Sequence, residues 1–301
     1  MIAAGIDLGG TKIEAQVFDI EWNKVDSNRI ETPKTYAELV AAMADQIDWI
    51  EAKAGPIPIG ISAAGLINPV SGLALTANLP ASGRPFPADI AKAAGREVTY
   101  VNDCRAQALS EAIFGAGRGF VSVMGLNLGT GLAGGVVVNG RLLPSASGTG
   151  GEFGHFPLAA EPVIRHMLPV LPCGCGRIGC TETLIAGPGL ARIVTHKTGR
   201  ILTPEQIVLL RKTEPNIAEC WQMWLDLLTD LLVTLTLTLD PTCVVLGGGL
   251  ARAEGLVDDL SAALQRAQLV GYNIPVISLA EGGDATGARG AAYAAYRGQH
   301  G

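Results

Sequence analysis

Four soft-metal donors lie close together between Gly151 and Glu182: His155 in GEFGH, then Cys173, Cys175 and Cys180 in CGCGRIGC. Thiolate and imidazole are the donors that zinc takes, and a structural zinc site needs four of them in a tetrahedron. The two-residue step from Cys173 to Cys175 and the turn GRIG before Cys180 let three sulfurs converge without a long loop closure. His155 closes the set, with His166, nearer to Cys173 in sequence, as the competing fourth ligand. Two acids bracket the group, Glu152 and Glu182, and a closed zinc site needs neither. Sulfurs two residues apart bridge badly, and nothing in the chain looks secreted, which argues against disulfides. Cys104, Cys220 and Cys243 read as inert core thiols.

The second chemistry is phosphate binding. Polyphosphate needs backbone amides that approach closely, which glycine permits and a side chain obstructs. DLGGTK supplies Gly9 and Gly10, the Thr11 hydroxyl and the Lys12 ammonium, with Asp7 placed to hold magnesium through water. Two further glycine loops follow, Gly129-Thr130-Gly131 and Gly247-Gly248-Gly249. Neither GxxxxGK[ST] nor GxGxxG after the first strand is present, so hairpin turns from two lobes would hold the phosphates. Asp103 follows Asn102 where a strand gives way to a helix. It reads either as a helix N-cap or as a base that takes a proton from an attacking hydroxyl.

The elements that must position these groups alternate strand with helix, which makes the chain α/β. Residues 2–6 and 13–19 read as a hairpin turned at Gly9, Gly10 and Thr11, with a third strand near 24–30. The apolar spacing from Tyr36 to Ala54 is helical, as are Pro87 to Ala94 and the run after Asp103. Two β runs joined by GTG and closed by Asn139-Gly140 repeat the N-terminal pattern, a duplication that would set two glycine turns at one cleft. Later helices are expected from Thr203 to Arg211, from Asn216 to Leu239 ahead of Pro241, and from Glu254 to Ala267.

A chain of 301 residues suggests two domains. Its net charge of −6, with no basic cluster, argues against nucleic acid as a partner. MIAAGIDLGG has no signal-peptide pattern, and the apolar run from Trp221 to Leu239 carries Asp226 and Asp230, as a buried helix would and a membrane span would not. A soluble, cytoplasmic protein is expected.

DLGGTK, VND at 101–103, GTG, GEFGH, CxCGxxGCxE and LGGGL, in this order across essentially the whole chain, resemble the ROK family of sugar kinases and repressors. The resemblance implies an actin-like, hexokinase-type fold of two ribonuclease H-like α/β lobes, with ATP, magnesium and a sugar as ligands and a structural zinc. It makes Asp103 the general base. It gives Asn78, Asn102, Glu152, His155 and Glu182 to the sugar, together with Asp103, and selects His155 as the zinc ligand. One ring nitrogen of His155 would then face zinc and the other the sugar.

TANLPASGRPFPADI after residue 75 and the long interval from His155 to Cys173 look like the family's N-acetyl-D-glucosamine kinase branch. Phosphorylation of the 6-hydroxyl of that sugar is the activity implied, with glucose and N-acetylmannosamine as alternative substrates. A family repressor would carry a helix-turn-helix ahead of the first hairpin, which here begins at Ile2. The lobes are expected at 1–112, with 290–301 packing back on it, and at 113–289. Family members often pair through the larger lobe, so a homodimer is the assembly that the resemblance allows. SAAG at 62–65 lies where an acetamido group would be accommodated, and Arg105 is a departure that would alter charge near the base.

Overall fold

The computed structural model describes residues 1–283 and 286–298. The chain divides into two compact units, one of residues 1–121, 135–151 and 281–301, the other of 122–134 and 152–280. The sequence alone set these changes near 112 and 289, and residues 299–301 of the expected terminal return lie outside the described residues.

The first unit is built on β1 (Ala3–Leu8), β2 (Lys12–Phe18), β3 (Lys24–Glu31), β4 (Ile59–Ala63) and β7 (Thr99–Asn102), with β5 (Leu66–Ile67) and β6 (Ala74–Leu75) as a small separate pair. Its sheet order is β3-β2-β1-β4-β7; β1 pairs antiparallel with β2 and parallel with β4. Because strand residues alternate between faces, Ala4, Ile6 and Leu8 of β1 enter a core with Leu39, Met43 and Ile47 of α1 (Tyr36–Ala54) and Phe86 and Ile90 of α2 (Phe86–Ala94). The opposite face carries Ala3, Gly5 and Asp7. It meets the terminal helix α10 (Thr286–Tyr296), with α3 (Asp103–Phe114) also against that helix.

That second contact is unusually close. A Cβ at Gly5 would fall inside the radius of the Ala288 carbonyl oxygen, one at Gly60 inside that of Ala291, and one at Gly290 inside that of Ala106. The small-residue composition of α10, TGARGAAYAAY, follows from this demand for room. It also fixes Asp7, since a Cβ at Gly287 would stand 2.5 Å from Asp7 Oδ1 and 2.6 Å from Ser62 Oγ.

In the second unit β8 (Ser122–Leu128), β11 (Cys243–Gly247) and β12 (Val276–Leu279) run parallel. The sheet order β10-β9-β8-β11-β12, with β9 (Leu132–Val138) and β10 (Arg141–Leu142), is third-second-first-fourth-fifth, as in the first sheet. The duplication read from the two hairpins therefore extends to both sheets.

Around the second sheet lie α4 (Ala160–Arg165), α5 (Glu182–Ile185), α6 (Gly187–Thr198), α7 (Pro204–Leu210), α8 (Pro215–Leu239) and α9 (Leu256–Ala267). Thr203 caps α7 through a capping box with Gln206. The long α8 is apolar enough to cross a membrane, yet Trp224, Leu228, Leu232 and Leu235 are fully buried on its core face. Asp240 ends it in the left-handed conformation, one residue before Pro241.

Candidate active site

In the first unit, the turn between β1 and β2 places Gly9, Gly10, Thr11 and Lys12 at the mouth of the hairpin, closed by the Gly9 amide donating to the Lys12 carbonyl at 3.0 Å. Neither glycine has a positive φ, so the turn does not need them for handedness. Gly10 is needed for space: a Cβ there would approach Asn78 Cβ to 3.1 Å, which puts the exposed Asn78 beside the turn. Asp7 stands at the base of this turn and accepts from Ser62 Oγ at 3.0 Å. Burial pushes its carboxyl up to about 6 against the stabilising Ser62 hydrogen bond, and the nearby Asp103 charge pushes in the same direction.

Asp103 is the first residue of α3, and the cap is its neighbour: Asn102 Oδ1 accepts from the Arg105 amide at 3.2 Å, while Asn102 Nδ2 donates to the Gly65 carbonyl at 3.0 Å. The N-cap reading of Asp103 is corrected, because Asn102 already satisfies that amide. Asp103 Oδ1 accepts from the Cys104 amide at 2.9 Å, and burial raises its pKa against this bond and the hydrogen bonds from the Cys104 and Asn102 side chains. Arg105 turns away from this carboxylate. Its guanidinium is buried and donates to the Leu143 carbonyl at 2.7 Å.

The Asp7 shift gives a signed expectation. A carboxyl whose folded pKa is raised favours folding below its unfolded pKa, and this contribution is lost as pH rises through the folded value, here from about 3.8 to about 6. Above that window the ionised group costs the fold up to roughly 3 kcal/mol. Asp7→Asn should therefore raise the melting temperature at pH 8, without magnesium, and have little effect at pH 4. An equal loss at both pH values would contradict this assignment.

The second unit brings the metal-type donors together. The ligand atoms of His155, Cys173, Cys175 and Cys180 all lie within 4.8 Å of one another. Cys175 and Cys180 sulfurs are 3.6 Å apart, and Cys173 Sγ is 3.7 Å from His155 Nδ1. Around one zinc ion, tetrahedral edges of about 3.8 Å between sulfurs and about 3.6 Å between sulfur and nitrogen are expected from its bond lengths. The donor set and its spacing thus fit zinc. His166, the competing ligand, is engaged elsewhere, hydrogen-bonded through Nε2 to Asp226 at 2.8 Å.

The local chain makes this convergence. The Cys173 amide donates to Arg177 O and the Gly176 amide to Cys173 O, with Gly176 and Gly179 at positive φ to turn the chain twice. Thr181 Oγ1 lies 3.0, 3.1 and 3.0 Å from the carbonyls of Phe153, Gly154 and Phe156, fastening the turn that bears His155 to the segment that bears Cys180.

Both bracketing acids reach the imidazole. Glu152 Oε2 is 3.6 Å from Nε2, and Glu182 Oε1 is 3.6 Å from Nδ1 and accepts from Cys173 Sγ at 3.0 Å. Burial pushes the Cys173 thiol up to about 12, with the Glu182 contact adding to it.

The remaining glycine loops border a cavity of about 700 Å³ lined by Gly129, Thr130, Gly187, Pro188, Leu209 and Gly249, among others. The Gly187 amide donates to Gly129 O at 2.9 Å. Gly248 has φ 86°, and a Cβ there would collide with Leu128. Sequence reasoning gave no sign of the wall from Gly187 to Leu209, because GPG and PEQIVLL carry no pattern that marks a ligand-binding surface. It also missed Asn127, whose Oδ1 lies 3.6 Å from where a Gly129 Cβ would stand and close to Gly248. An Asn inside the apolar run VSVMGLNL was the available signal.

The sequence profile of the ROK family matches residues 3–297. The chain is 38% identical over 294 residues to the N-acetyl-D-glucosamine kinase of Pectobacterium atrosepticum, covering 96% of this chain and 97% of that protein. It is 37% identical over 292 residues to the N-acetylgalactosamine kinase AgaK of Shewanella sp. strain ANA-3, covering 96% and 94%. The crystal structure of a ROK hexokinase from Thermus thermophilus superposes with a TM-score of 0.88 at 34% identity, covering 99% of both chains.

Proposed function

The chain belongs to the ROK family, and from that premise we propose that it is an ATP-dependent sugar kinase acting on the 6-hydroxyl of N-acetyl-D-glucosamine. The observation that carries this reading is the His155 cluster with a carboxylate at each ring nitrogen. Such an array suits a hydroxyl-rich ligand, because each acceptor fixes the direction of one hydroxyl. The full-length likeness to two N-acetylhexosamine kinases supports the substrate class.

In the reaction, the sugar 6-oxygen attacks the γ-phosphorus as its proton passes to the Asp103 carboxylate. The bond from that phosphorus to the bridging oxygen breaks, and ADP leaves with the electron pair. Phosphoryl transfer asks the protein mainly for alignment and charge stabilisation. The amides of Gly9, Gly10 and Thr11 with the Lys12 ammonium would meet the phosphates, as would the turns at Gly129, Thr130 and Gly131 and at Gly247, Gly248 and Gly249. Asp7 would hold magnesium through water, and a raised carboxyl is suited to pairing with a cation. Asn78, Asn102, Glu152, His155 and Glu182 would orient the sugar. Zinc, when bound by His155, Cys173, Cys175 and Cys180, would supply a structural anchor with no position open to water. A soluble cytoplasmic enzyme follows from the same reading.

ADP release coupled to an indicator, run over N-acetylglucosamine, N-acetylgalactosamine, N-acetylmannosamine and glucose, tests it. The highest kcat/KM is expected for N-acetylglucosamine. A glucose or N-acetylmannosamine preference would replace the substrate while keeping the kinase, and no turnover with any hexose would sink the kinase reading. N-acetylgalactosamine differs from N-acetylglucosamine only at C4, so a preference for it would point to the contacts on that hydroxyl.

A further inference from the structure

We propose that the His155, Cys173, Cys175 and Cys180 cluster shapes the nucleotide pocket as well as the sugar ligands, with Glu182 as the positioning residue between them. This rests on the reading of the cluster as a zinc site and of the 700 Å³ cavity as the nucleotide pocket.

Two connections lead from the cluster to the Gly129–Gly131 turn, both within the second unit. The first is the Glu182 carboxylate. Its Oε1 is 3.0 Å from Cys173 Sγ and 3.6 Å from His155 Nδ1, while its Oε2 stands 3.6 Å from where a Gly131 Cβ would be. One side chain thus touches the metal-type donors with one oxygen and borders the turn with the other. The second is the backbone. Cys180 is followed within seven residues by Gly187, whose amide holds the Gly129 carbonyl at 2.9 Å. The segment between them cannot flex independently: Leu184 and Ile185 are fully buried, and Trp224 Nε1 donates to the Ile185 carbonyl at 2.8 Å. The Ala186 amide returns to Glu182 O at 3.2 Å.

Packed elements of this kind transmit a displacement because they do not deform continuously. Letting the three sulfurs and the imidazole separate releases Glu182 and the start of α5. The turn then loses the neighbour of Gly131 and the fixed donor on Gly129. Reciprocity follows: a nucleotide that binds more tightly to the metal-loaded protein must raise the affinity for the metal by the same factor.

The test measures binding of a non-hydrolysable ATP analogue with magnesium by calorimetry, without sugar, to the zinc-loaded, chelator-stripped and reloaded protein. Hydrogen exchange is followed in parallel over residues 126–134 and 204–210. The expected result is an affinity loss of at least about fivefold on stripping, the lower end of ordinary coupling between sites. Exchange should rise over 126–134 and not over 204–210, and one equivalent of zinc should restore both. Unchanged nucleotide affinity with weakened sugar binding overturns the coupling and leaves the proposed function standing. Purified protein without zinc, unable to take up one equivalent, overturns the cluster reading and this proposal together. Should stripping unfold the protein, zinc-loaded Glu182→Gln replaces it. That variant should bind the analogue about fivefold more weakly, and wild-type affinity would overturn the proposal.

Discussion

With Asp103 in its proposed role as general base, Asp103→Asn is expected to lower kcat by about 10²- to 10⁴-fold, the usual contribution of such a group, with no loss of thermal stability. The amide is isosteric and keeps an acceptor for the Cys104 amide, which lies 2.9 Å from Asp103 Oδ1. The helix start is unaffected because Asn102, not Asp103, caps α3. Removing a carboxylate that burial disfavours in its charged form relieves the fold, if it changes stability at all.

The pH profile separates a base from a mere sugar contact. Burial raises the Asp103 pKa, so the wild-type acid limb of kcat/KM should lie above the ordinary aspartate range, with activity rising as the carboxylate ionises. Asp7, pushed up to about 6 chiefly by burial and in smaller part by the Asp103 charge, also ionises in the acid range. In Asp103→Asn that limb should move to lower pH. A variant within tenfold of wild-type kcat, with the limb unmoved, would remove Asp103 from the chemistry.

Gly60→Ala leaves little folded protein. The added methyl group points at the Ala291 carbonyl of α10, a backbone atom that cannot rotate away as a side-chain tip would. Moving the helix outward separates the neighbouring contacts together, since Gly5 meets Ala288 and Gly290 meets Ala106 at the same closeness. It also pulls Gly287 away from Asp7 and Ser62. Overpacking usually costs about 1–3 kcal/mol, and a rigid helix against a rigid sheet belongs at or above the upper end. Domains have only about 5–15 kcal/mol in all. Soluble yield and thermal melting check this: a variant that melts within a few degrees of wild type would show that α10 can move aside. The affected face carries Asp7, so any surviving protein should also lose kinase activity if Asp7 has its proposed role.

The hairpins were legible because their signals are local. The turns at Gly9-Gly10 and Gly129–Gly131 sit between alternating apolar runs, and period-two alternation is written in consecutive residues. The helices at 36–54 and 216–239 were equally plain, and the structure moved their ends by one residue at most. The role of the glycines was less legible. A glycine in a turn suggests left-handed backbone, yet Gly9, Gly10, Gly129 and Gly131 are absent from the positive-φ positions, and Gly10 is there for the room beside Asn78. Gly5, Gly60 and Gly290 carried no readable signal, since the carbonyls they admit come from segments far away in the chain.

Sequence alone determined which atoms are available: three thiols and an imidazole in one short stretch, acids on either side, glycine turns in two similar halves, and an Asp where a strand becomes a helix. These are matters of residue type and nearby spacing, and chain connectivity enforces them before anything packs. Tertiary structure decided which atoms meet. It placed His155 at the sulfurs and gave His166 to Asp226, made Asn102 and not Asp103 the cap of α3, and turned the Arg105 charge toward Leu143. Each of those outcomes depends on partners brought together by burial and close packing, which residue order does not encode locally.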